Sequence, residues 1–120
     1  MFLVLGAIVM ALGIALGAYA AHAAKGAAHP EAARLLHTAV QYQLIHGIGI
    51  VAVGILARWE ASKWLVAAGV LLLAGVASFC GSLWVLALTA HSPGPLAPLG
   101  GLGLIAGWLA LAVHGLAHKR

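Results

Sequence analysis

The sequence has no aspartate, and its only acids are Glu31 and Glu60. No triad built on aspartate can therefore be assembled, and the four serines, at 62, 78, 82 and 92, lack a nucleophile-elbow pattern. Neither acid falls inside a long apolar run, so the intramembrane carboxylate expected of a proton-driven pump is missing as well. The single cysteine, Cys80, cannot form an internal disulfide, and it lies in an apolar stretch where it reads as a small buried hydrophobe. Charged residues make up 7% of the 120 residues against 64% hydrophobic. A soluble domain carries about 25% charged residues, and a chain this short could not hide so much apolar surface from water. The net charge of +4 comes from six Lys and Arg scattered singly or in pairs near the ends of apolar runs. That pattern faces lipid headgroups, and with no basic stripe there is no nucleic-acid partner.

What is present is four apolar runs, 1–24, 35–57, 64–90 and 99–117, which predict spans at about 2–24, 30–57, 62–90 and 98–118. Each span exceeds the roughly 20 residues needed to cross the hydrocarbon core, and each must satisfy its own backbone there, so helices are expected. The fold class is thus all-α, an integral membrane four-transmembrane-helix bundle forming one membrane domain over 1–120, with the lipid bilayer as its first partner. The small residues Ala18 to Ala23 resemble a cleavage site. No basic residue precedes the run and the run is long, so it is expected to remain as a span. His29-Pro30-Glu31 opens the second run with proline and an acid where a helix start favours them. Trp59 and Trp64 bracket the second loop as interfacial aromatics, and Pro93, Pro95 and Pro98 stiffen the third. Arg58, Lys63, Lys119 and Arg120 lie on the side of the termini, against Lys25 and Arg34 on the other, which predicts cytoplasmic termini.

Small residues inside the spans predict close helix packing. Gly13 and Gly17 are four apart, as are Gly103 and Gly107, while Ala68, Gly75, Ser82 and Thr89 recur every seven residues. Gly13, Gly17, Gly75, Gly81, Gly103 and Gly107 are the expected packing glycines, with the neighbourhoods of Gly13, Gly75 and Gly107 as close contacts within the chain or with another subunit.

Polar residues at membrane depth are the functional hint. Thr38, Tyr42 and His46 are spaced four apart, with Gly49 on the same stripe and Gln43 flanking it. They are expected to point into the bundle near Ser78 or Ser82, with His22 closing one end. Such a face is either a hydrogen-bond network that fixes register or a site for a ligand, ion or proton. His114 and His118 are four apart, a spacing that can chelate zinc, but no acid or thiolate is near them in sequence. They read as a headgroup-facing helix end, like the interfacial pair His37 and Gln41, and no metal or cofactor is assigned.

Four stretches together resemble the domain of unknown function 423, the YgdD-like small inner-membrane proteins. They are Leu16-Gly17-Ala18-Tyr19-Ala20-Ala21-His22, Gln41-Tyr42-Gln43-Leu44-Ile45-His46, Phe79-Cys80-Gly81-Ser82-Leu83-Trp84 with Leu86 and Leu88, and Pro98-Leu99-Gly100-Gly101 with Ala106-Gly107-Trp108. They occur in the family's order over nearly the whole chain. Ala20, Cys80 and Trp84 stand where glycine, serine and tyrosine are usual. The resemblance implies a four-span bundle of the bacterial inner membrane and a site formed by His22, Tyr42, Gln43, His46, Gly81 and Ser82. It implies no activity. The leading expectation is a structural or accessory bundle acting by self-association or in a membrane complex. The alternative is a binding or transport module using the His/Tyr/Gln cluster, and an enzyme ranks last.

Overall fold

In a bilayer the cheapest way to satisfy an apolar backbone is within one helix. The computed structural model describes residues 1–26 and 30–118, and among these it contains four helices. They are α1 (Phe2–Lys25), α2 (Pro30–Leu56), α3 (Lys63–Thr89) and α4 (Leu96–Ala117). All four are long and apolar enough to cross a membrane. His29, Lys119 and Arg120, used above for a helix start and for orientation, lie outside the described residues.

Local chemistry sets the helix ends. The Ser62 hydroxyl accepts from the Trp64 N–H at 3.2 Å and caps α3. Glu31 sits in the first turn of α2 and pairs with Arg34 one turn on. α4 begins two residues ahead of the expected 98. Pro98 then falls in the first turn, where backbone N–H groups have no partner inside the helix and a missing one costs nothing.

The helices pack in chain order, α1 on α2, α2 on α3, α3 on α4. Each pair is antiparallel. On α1, Gly6, Gly13 and Gly17 face Val51, Leu44 and Val40 of α2, so the numbers run in opposite directions. Gly75, Gly100 and Gly107 set α3 against α4 in the same way, facing Leu104, Phe79 and Leu72. The cross-section is flattened, 26 by 18 Å, with α2 and α3 in the middle. Leu36, Ile50 and Val53 of α2 and Leu65 and Leu72 of α3 are its fully buried large side chains.

Lipid gives no hydrophobic drive between helices, so the close approach itself must supply dispersion energy. Glycine makes that approach possible. A Cβ at Gly100 would stand 2.5 Å from the Phe79 backbone nitrogen, and one at Gly54 would meet the backbone of Leu3. Gly13, Gly17, Gly75 and Gly107 sit in such seams. A Cβ there would lie 2.7 Å from Leu44, 3.2 Å from Val40, 2.6 Å from Leu104 and 2.8 Å from Leu72. Gly103 makes only ordinary contact with the backbones of Leu71 and Gly75. Gly81 departs from expectation. Nothing lies within 4 Å of where its Cβ would be, because it faces outward from α3. The seven-residue stripe on α3 is buried at Ala68, Gly75 and Ser82 but surfaces at Thr89.

Candidate functional site

Neighbouring residues on a helix point about 100° apart, and this splits the polar face of α2. Gln43 is buried toward α1 and donates from Nε2 to the Val9 carbonyl at 3.0 Å. His46 is buried on another side, and its Nδ1–H donates to the Tyr42 carbonyl one turn back at 2.6 Å. Tyr42 is half-exposed rather than enclosed. Its ring stacks on His46 at 5.5 Å and leans on Phe79 of α3 at 4.8 Å. Trp108 of α4 approaches His46 at 6.1 Å, and its ring covers Gly49. Tyr42, His46, Phe79 and Trp108 thus line a mainly apolar cleft of about 230 Å³.

Ser78 and Ser82 do not join these groups. Each donates to its own helix, Ser78 to the Ala74 carbonyl at 2.7 Å and Ser82 to the Ser78 carbonyl at 2.5 Å. A hydroxyl bonded to the carbonyl four residues back is satisfied without any neighbouring helix. His22 is also separate, and exposed. The α1–α2 register puts Met10 beside Gly47, so His22 lies about 18 Å along α1 from the His46 layer at 1.5 Å per residue. The expected convergence of His22, Tyr42, Gln43, His46, Ser78 and Ser82 is therefore corrected. Tyr42 and His46 stay together, while helix geometry and register send His22, Gln43, Ser78 and Ser82 elsewhere. On the α1 side, Gln43, Cys80, Gly81 and Trp84 line a groove of about 370 Å³. The Trp84 indole N–H, buried there, has no hydrogen-bond partner among the described residues.

A second polar group forms at the end of the bundle where the α2–α3 loop meets the end of α4. His114 is 4% exposed, and its Nε2 lies 3.3 Å from Glu60 Oε2. His118 Nε2 lies 3.9 Å from the same oxygen. The two imidazoles are 4.2 Å apart, centre to centre. His118 Nδ1 is 3.0 Å from the His114 carbonyl, and His114 Nδ1 is 3.1 Å from Ser62 Oγ. The premise that His114 and His118 have no acid nearby is thus corrected. The i, i+4 pair was visible in the sequence. Its acid was not, because Glu60 is 54 positions from His114 in the chain. A usable signal existed, since two successive spans return the chain to the same side and so bring the second loop level with the end of α4.

The family described as "Protein of unknown function (DUF423)" matches residues 16–101. The chain is 37% identical to a UPF0382 membrane protein of Staphylococcus haemolyticus, over 94% of this chain and 93% of that one. It is 36% identical to the UPF0382 membrane protein YwdK of Bacillus subtilis, over 98% and 97%. A third relative, from Staphylococcus saprophyticus, is 34% identical over 93% of each chain. No solved structure matches.

Proposed function

The chain belongs to the DUF423 family of multi-pass membrane proteins, and on that premise we propose that it is an accessory bundle that associates with a further transmembrane helix through the outer face of α1. One observation carries this reading. α1 is the least buried helix, yet Ala7, Ala11, Ala15 and Ala18 run along its exposed side. A lipid-facing surface has no use for small residues, whereas a helix seeking a close neighbour does. The glycines that could serve the same end, among them Gly6, Gly54, Gly75 and Gly100, are already turned onto the chain's own helices. The polar residues at depth support the same view, since Gln43, Ser78 and Ser82 are spent on backbone carbonyls rather than aimed at a shared space.

Cysteine cross-linking tests it. Ala11→Cys in native membranes is expected to yield a cross-linked dimer or a discrete heterologous adduct, identified by mass spectrometry. Ala11→Ile is expected to abolish association while leaving the fold intact. A chain that stays monomeric in native lipid discs, with nothing copurifying, overturns the proposal.

The alternative is a binding module centred on the cleft of Tyr42, His46, Phe79 and Trp108. It is favoured by His46 Nε2, which has no hydrogen-bond partner among the described residues. A small molecule that copurifies with the wild type but not with His46→Gln would favour it. We assign the bilayer as the bacterial inner membrane and the termini as cytoplasmic, supported by Arg58 and Lys63 in the second loop and by Lys119 and Arg120 in the sequence. A C-terminal reporter active only in the periplasm would reverse the orientation.

A further inference from the structure

We propose that Glu60, His114 and His118 form a binding site for one divalent metal ion of the zinc class, at the membrane rim where the α2–α3 loop meets the end of α4.

The argument starts from the hydrogen atoms. A carbonyl oxygen can only accept, so His118 Nδ1, 3.0 Å from the His114 carbonyl, carries the ring proton. In neutral His118 the Nε2 lone pair is then left facing Glu60 Oε2. His114 sets Nε2 on the same carboxylate oxygen and Nδ1 on the Ser62 hydroxyl, which can accept from Nδ1 or donate to it. Ser62 is itself fixed, because its oxygen caps α3. Two imidazole nitrogens and a carboxylate oxygen thus converge, all within 4.8 Å of one another. Where neither ring carries a proton on Nε2, this arrangement sets electron pairs against electron pairs, and a proton or a metal ion must lie between them. A shared proton satisfies these atoms one contact at a time, whereas a divalent ion satisfies all three together.

The dimensions fit. Ligands at about 2.0–2.1 Å from a tetrahedral zinc stand about 3.3 Å apart. His114 Nε2 and Glu60 Oε2 are already at 3.3 Å; His118, exposed and at the helix end, has to swing in to close its 3.9 Å to Glu60 and its separation from His114, which lies within 4.8 Å. The outer contacts also fit. A metal-bound histidine usually donates its second ring nitrogen to a carbonyl or hydroxyl, and both rings here have such an acceptor in place. Two imidazoles and one carboxylate suit zinc and its neighbours rather than calcium or magnesium, which prefer all-oxygen sets. Among the described residues no lysine or arginine lies within ion-pair distance of Glu60 to compete. Lys63 is turned over the Trp64 ring instead. Three protein ligands leave a fourth position for water.

The test uses the full chain in lipid discs, purified without a polyhistidine tag and stripped with a chelator. Zn²⁺ is titrated in competition with a chromophoric chelator, and Co²⁺ is followed by its visible spectrum. The expected result is one ion per chain, with the intense bands of four-coordinate Co²⁺. Glu60→Gln and His118→Ala should each weaken binding about 100-fold or more, the upper range for loss of even an outer-shell partner. Both positions are exposed, so these variants fold. His114 is buried and is best left intact. His37→Ala, on the opposite side of the bundle, should bind as the wild type does. No saturable binding at one equivalent overturns the site, as does wild-type affinity in both Glu60→Gln and His118→Ala.

Discussion

The polar residues at mid-membrane and those at the rim obey different rules. At depth, Gln43, His46, Ser78 and Ser82 each bond to a backbone carbonyl, three of them within their own helix. At the rim, Glu60, His114 and His118 turn their side chains on one another. The difference follows from solvent. An unpaired polar group in hydrocarbon costs several kcal/mol, so these deep groups take the nearest acceptor available, the Trp84 indole N–H being the exception among the described residues. At the rim water can satisfy whatever the protein leaves open, and side chains are free to be held for something else. Polar residue types at membrane depth therefore say less about function than their cost suggests.

Several measurements would break or sharpen this contrast. The largest effect belongs to the rim. Zn²⁺ at one hundred times its dissociation constant should raise unfolding free energy by about 2.7 kcal/mol, if it binds only the folded chain. The same addition to Glu60→Gln should raise it by no more than about 0.4 kcal/mol, as read by thermal unfolding in detergent. At depth, Gly75→Leu forces a side chain into the Leu104 contact and should cost about 1–3 kcal/mol. Gly81→Leu on the same helix meets open space and should be nearly silent. If both variants melt alike, Gly75 does not sit in a seam. Gln43→Leu removes the hydrogen bond that ties α2 to Val9 of α1 and should cost about 0.6 kcal/mol, and at most about 1.7. Smallest of all is Ser82→Ala, whose hydroxyl serves only its own helix; a change below about 0.5 kcal/mol is expected. A large loss there would mean that deep polar residues are held for a partner after all, and the contrast between depth and rim would fail.

The four helices were legible because uncharged length is a composition signal, and a bilayer allows little besides helices. The contact points at Gly13, Gly75 and Gly107 were legible because small residues at helical spacing have few other uses in lipid. Gly54 and Gly69 belong to none of the small-residue repeats, so spacing alone does not mark them. Gly54 admits the backbone of Leu3 and Gly69 the ring of Phe2. The polar face failed for a definite reason. Spacing shows that Thr38, Tyr42 and His46 share a side of α2, but not which neighbour that side meets. Nor does it show that Gln43, one position on from Tyr42, turns toward a different helix. Glu60 stayed hidden because its partners lie beyond a whole intervening span.

The Phe2 ring over Gly69 and the Leu3 backbone against Gly54 have a consequence for synthesis. The first turn of α1 finds its seat on residues that leave the ribosome some fifty and then some sixty-five positions later. Until then only the first turn of α1 lacks its seat, since Gly17, Gly13 and Gly6 meet the earlier residues Val40, Leu44 and Val51. Insertion comes first and closure follows. The fold is closed at the beginning of the chain only when its middle has been made, because the Phe2 ring has no seat before Gly69 exists.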